Sequence, residues 1–354
     1  MTAVIDWDLA ERVAVRFSGR EPFADSYHYD ALGPDFAELT AIAEDRVARA
    51  TGLVSTAGPA RARVVDRPAW IAANLASFQR LLRPLTDKLG ERMGASPLAP
   101  VTQKIAGAEV GALLGWMSTR VLGQYDLLVV EDEDLENQDI VYYVGPNVLA
   151  LEKRFAFPPR EFRLWLALHE VTHRAQFTGI PWLRTHYLGL VDEVVGAVDP
   201  DPKRFIAAMA RVADDLREGR KPLDGGGLAA VLANPEQRLA LDRVAGLMSL
   251  LEGHGDVTMD RAGADQIPSA DRFGRVLRQR RQQTNGLARL LQRLMGLEAK
   301  LAQYEQGEKF IEAIEAVGGP TALDTVWEDP ARLPTLAEIR DPAGWLARID
   351  LAAA

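Results

Sequence analysis

Apolar residues recur at helical spacing along most of the chain, and that spacing predicts its elements. Residues 6–20 predict a short amphipathic helix led by Asp6. A loop over 21–34 holds His28 between Tyr27 and Tyr29, where a surface or packing role suits it better than ligation. Over 34–53, Phe36, Leu39, Ile42 and Val47 fall on one side of a helix capped near Asp35. Asp66-Arg67-Pro68 opens a further helix to about Met93, with Trp70, Ile71, Leu75, Phe78 and Leu82 inward. Residues 94–100 read as a loop. Beyond it, Gly107, Gly111 and Gly115 recur every four residues, a spacing that lets another helix approach closely.

Helical periodicity lapses between Tyr125 and Leu151. Residues 125–130 and 140–144 are β-rich and apolar, separated by an acidic turn, which predicts a hairpin. Its strand could align a peptide substrate by strand addition, or simply cover the neighbouring helix. Pro158 and Pro159 then start a helix with Glu161 in its first turn, and Gly179-Ile180-Pro181 stops it. Residues 181–198 predict a turn and a helix, 201–220 another helix, and 223–227 (LDGGG) a flexible break. Asn234-Pro235-Glu236 makes a strong helix start, and that helix runs to about Arg261. Residues 269–317 are helical, their basic first half reading as a solvated face. The tail is proline-punctuated, with a short helix around Trp345. With no internal repeat, the pattern predicts one mainly α domain over 1–354 with a small hairpin or sheet. Residues 1–100 are a candidate N-terminal helical subdomain.

Composition narrows the class. A chain of 354 residues, 47% hydrophobic and 26% charged, can bury a large core. Its net charge of −9 argues against a general nucleic-acid or membrane-surface binder. There is no cysteine, so disulfides, thiolate ligands and cysteine nucleophiles are excluded, and any metal must be held by His, Asp or Glu. The acidic start lacks a signal-peptide core, and no run reaches 18 apolar residues, so a cytoplasmic location is expected. No pattern calls for a particular oligomer.

The chemistry concentrates in residues 164–177, LWLALHEVTHRAQF, which contain His169-Glu170-Val171-Thr172-His173, the HExxH pattern. On a helix the two imidazoles leave one face a turn apart, where a Zn²⁺ can accept both at about 2.0–2.1 Å. Glu170 could take a proton from an activated water. Two of the chain's five histidines lie in this pattern. A catalytic zinc site takes a third protein ligand. Gly179 stands where the metzincins have a third histidine, and His186 lies beyond the helix stop. Glu193, 20 residues after His173, has the spacing of thermolysin-like enzymes; Glu252 lies 79 after it. Asp256 is one turn beyond Glu252, and in glutamate-zincins an Asp at that offset accepts the free N–H of a ligand histidine. That pairing favours Glu252. His254 is about 200° from Glu252 around a helix, so it would not share the ion, but it could donate to substrate. Candidate donors to a developing oxyanion are His254, Tyr187 and His186.

The segments LALHEVTHRAQF, PWLR, LLEGHGDVTMD, KLAQYEQGEKF and the closing LPTLAEI and WLARI resemble the zincin-like metallopeptidase type 2 family. Its members carry a hydrolase label, sometimes with an association to deazaflavin-coenzyme biosynthesis. The resemblance covers residues from about 60 to 350. It implies a largely helical zincin-type fold with zinc on the HExxH helix and Glu252 as third ligand. The expected activity is that of a zinc hydrolase acting on a peptide or small amide, with Glu170 as general base. The alternatives are a zinc-stabilised scaffold serving a partner in cofactor biosynthesis, or a non-hydrolytic enzyme using the metal as a Lewis acid.

Overall fold

The computed structural model describes residues 4–23, 25–93, 99–127, 138–196, 235–282 and 297–349. The helix expected over 201–220, the break at 223–227 and most of the acidic turn lie outside them. Among the described residues the chain is mainly α-helical with one three-stranded sheet. It divides into two compact units, Met1–Gly179 with Thr258–Phe273, and Ile180–Val257 with Gly274–Ala354.

In the first unit, α1 (Trp7–Ser18) starts at Asp6, whose carboxylate accepts the Leu9 N–H at 2.9 Å. It runs beside α5 (Ala99–Ser118). The missing side chains of Gly107, Gly111 and Gly115 leave room for the carbonyl oxygens of Asp6, Ala10 and Ala14, so the glycine spacing does serve a close helix crossing. Residues 21–34, expected as a loop, contain α2 (Tyr27–Asp30) and the start of α3 (Leu32–Thr51). Pro34 is accommodated in the first turn of α3, where a backbone N–H has no intrahelical acceptor.

The sheet corrects the strand reading. Strand β1 (Arg61–Val65), which the pattern did not announce, pairs in parallel with β3 (Ile140–Val144), and β2 (Gly123–Tyr125) pairs with β3 antiparallel. Of the first strand expected over 125–130, Tyr125 pairs with β3 as the end of a short edge strand, residues 128–130 lie outside the described residues, and β3 is central. Period-two geometry sorts β3 between two faces. Ile140, Tyr142 and Val144 join Trp70 and Ile71 of α4 (Arg67–Met93), Leu114 of α5, and Ala10 and Ala14 of α1. On the other face Tyr143 stacks on Phe36 of α3 at 3.8 Å and shares a 2.8 Å hydrogen bond with Thr40. The stretch before Leu151, read as non-helical, carries α6 (Gly145–Phe155), with Pro146 in its first turn. Helix α7 (Pro159–Gly179) follows and ends where the Gly-Ile-Pro signal placed it.

The second unit holds α8 (Leu183–Gly196), most of α9 (Pro235–Gly263), most of α10 (Ala270–Gln282) and α11 (Leu297–Gly318). Two 3₁₀ turns, Ala322–Trp327 and Pro330–Arg332, lead to α12 (Leu336–Arg340) and α13 (Pro342–Arg348). Thr335 and Glu338 form a reciprocal capping box at α12. The core gathers Leu250 and Val257 with Phe310, Ile311, Ile314, Val326 and Trp345. Gly253 of α9 meets Gly307 of α11 backbone to backbone. No described helix is long and apolar enough to cross a membrane.

These contacts give two glycine substitutions opposite signs. Gly111→Leu would drive a side chain into the Ala10 carbonyl and should destabilise the chain by about 1–3 kcal/mol or more. Gly189→Ala faces open space within α8 and should stabilise it by roughly 0.5–1 kcal/mol. Urea denaturation of both variants beside the parent checks the pair.

Candidate metal centre

Helix α7 is buried almost all round. From Phe162 to Phe177 the part-exposed residues are Trp165, His169 and His173, which stand four apart and form one open stripe. Every other position in that stretch is packed, including Arg163, Glu170, Arg174 and Gln176. The two histidines predicted to leave one face do so. Their Nε2 atoms lie 3.2 Å apart, with ring planes at 84°. Two nitrogens held at about 2.0–2.1 Å in a tetrahedral site would be about 3.3 Å apart. The donor pair therefore fits a zinc ion.

Gln176, which the sequence reading passed over, stands on the next turn. Its Oε1 lies 3.0 Å from Nδ1 of His173. A carbonyl oxygen there accepts a hydrogen bond, so Nδ1 carries the proton and Nε2 keeps its lone pair for a metal. The signal was available as a Gln three residues beyond the second histidine.

Glu170, next to His169 in the chain, contacts edge strand β2 of the sheet. Its Oε2 accepts the backbone N–H of Tyr125 at 3.1 Å, which sets the carboxylate against edge strand β2. Burial, with the Glu170 charge as a smaller contribution, pushes the phenol of nearby Tyr143 well above its ordinary range, so it stays neutral.

Two arginines anchor the helix. Arg163 forks onto Glu152 with two 2.8 Å bonds and also pairs with Asp35. Arg174 forks onto Asp139 at 2.9 and 2.6 Å, reaches Glu44 at 2.6 Å, and donates to the Gly58 carbonyl at 2.7 Å. Neither entered the sequence-based site, because a basic residue on a helix ordinarily reads as solvent-facing.

The remaining candidates belong to the second unit. Glu252 is buried on α9, and Asp256 is half-buried one turn on. His254 is buried with its ring 5.4 Å from Trp327. Glu193 on α8 is exposed and ion-paired with Arg243 at 3.4 Å. His186 is half-buried edge-on to Trp182; burial lowers its pKa, and burial raises that of Tyr187, so both are neutral donors near pH 7.

Comparison with known proteins agrees with this chemistry. The model of the zincin-like metallopeptidase family matches residues 5–346, and the chain belongs to that family. Such proteins hold a metal, usually zinc. Among solved structures, the chain resembles a protein from Chloroflexus aurantiacus described as a candidate hydrolase with a novel fold. The two are 32% identical, with a TM-score of 0.70 over 98% of this chain and 99% of that one. No curated protein matches the chain.

Gln176 offers a test of the centre that needs no substrate. Gln176→Leu should weaken zinc binding on the order of 10–100-fold in a chelator competition, because His173 loses the acceptor that sets its tautomer. Gln176→Glu keeps an acceptor and should stay within a few-fold of the parent.

Proposed function

We propose that the chain is a zinc-dependent hydrolase of peptides or small amides, with zinc held by His169, His173 and Glu252. The carrying observation is the pair of Nε2 atoms 3.2 Å apart on the one open stripe of a buried helix. Zinc bound there would polarise a carbonyl and bring the pKa of a water toward about 7. Glu170 would accept the proton of the attacking water and deliver it to the leaving nitrogen. Its hydrogen bond from Tyr125 suits that role, because an N–H donor favours the ionised carboxylate that can act as a base.

For the third ligand, the buried Glu252 suits the part better than the exposed Glu193, which Arg243 already engages. Asp256, one turn along α9, would accept the N–H of a ligand histidine.

The purified chain should bind one zinc, and His169→Ala with His173→Ala should abolish that binding. Glu170→Gln should keep the metal and lower cleavage of a mixed peptide pool, read by mass spectrometry, by roughly 10²-fold or more. Tight zinc binding by the parent with no cleavage of peptides or small amides would overturn the hydrolase reading.

A second series ranks the carboxylates by zinc affinity. Glu252→Ala should weaken binding most, and Asp256→Ala less, on the order of 10–100-fold. Glu193→Ala should leave affinity near the parent's. The reverse order, with Glu193 critical, would replace Glu252 in the site.

A further inference from the structure

The edge strand β2 makes a contact with Glu170 that the zinc chemistry does not require. Gly123 lies on β2, paired with Tyr143 of β3. A Cβ added at Gly123 would stand 2.7 Å from Cγ of Glu170, 2.8 Å from Oε1 and 3.0 Å from Cδ. The backbone of Gly123 lies outside the left-handed region, so the strand itself would tolerate a side chain there. The obstacle is the carboxylate of Glu170. Two residues on, Tyr125 presents its N–H to Oε2 of the same group at 3.1 Å. Strand residues two apart face the same way, so Gly123 and Tyr125 act on one carboxylate from one edge.

We propose that β2 is the cradle of the catalytic carboxylate, with Gly123 as a positioning residue whose missing side chain lets Glu170 lie flat along the strand. The inference rests on the reading of Glu170 as the general base. Long carboxylate side chains lose appreciable rotamer freedom when fixed, and a base must be held within hydrogen-bond reach of the proton it takes. Buried on α7, Glu170 gains that orientation from main-chain atoms. A methyl group at position 123 would push the carboxylate off the Tyr125 N–H and change where its oxygens point.

The test compares Gly123→Ala, Glu170→Ala and the double variant in the full chain. Gly123→Ala should lower the melting temperature by several degrees, on the order of 5 °C. In the Glu170→Ala background the same substitution should cost close to nothing, because the colliding group is gone. If Gly123→Ala alone does not fold, recovery of folding in the double variant supports the inference, and failure of both overturns it. An equal loss in the two backgrounds, or no loss in either, also overturns it. For a peptide that the parent cleaves, Gly123→Ala should lower kcat by about 10-fold or more, with KM and zinc stoichiometry unchanged; an unchanged kcat overturns the positioning role. Melting-temperature coupling without zinc binding or cleavage would retain the contact and defeat the hydrolase reading instead.

Discussion

A helix that carries charged groups inward must give each a partner, and the geometry of the centre depends on how α7 meets that demand. Arg163 and Arg174 are eleven residues apart, so they fall within about 20° of each other around the helix. Both are packed, and each forks onto a carboxylate, Glu152 for one and Asp139 for the other. Buried ion pairs are weak evidence for net stability, because desolvation offsets the attraction. They are strong constraints on orientation, since rotating the helix would take both guanidinium groups off their carboxylate partners. With the arginines held inward, His169 lies about 130° away and emerges with Trp165 and His173 along the open stripe. The rotation that the arginines impose is what exposes the histidines.

The helical framework was legible in the sequence because amphipathic periodicity and proline or glycine stops act locally. The ends of α7, the start of α9 at Pro235 and the glycine-lined crossing of α5 by α1 all follow from such signals. The missed elements have a common cause. Strand β1 reads Arg-Ala-Arg-Val-Val, and its place is decided by pairing with β3, nearly eighty residues later. Helix α6 follows β3 without a break, so an apolar run that changes from strand to helix at Gly145 looked like a single non-helical stretch. Propensity has little power where long-range pairing decides the outcome.

The centre shows the same division. His169 and His173 announce themselves through spacing, because a metal needs two nitrogens on one helix face. Glu170 is equally visible in the motif, but its direction is not. Its contact with β2, through the Tyr125 N–H, depends on how the strand packs against α7 and is not written in the motif. Arg163, Arg174 and Gln176 were passed over because their residue types usually face water, and tertiary packing here makes them interior.

Two different kinds of support therefore hold the two halves of the motif. His173 is oriented by a side chain on its own helix, and Glu170 by the main chain of a neighbouring strand. With Nδ1 of His173 donating to Gln176, its Nε2 faces Nε2 of His169 at 3.2 Å. A proton on one ring would join the two nitrogens in a hydrogen bond, and a cation bound to both would join them as ligands. A zinc ion would accept both nitrogens at once, and the part-exposed stripe is the side of the helix from which it could reach them. The packing of α7 thus leaves its two imidazoles part-exposed beside Trp165, while the Glu170 carboxylate is held inward against β2.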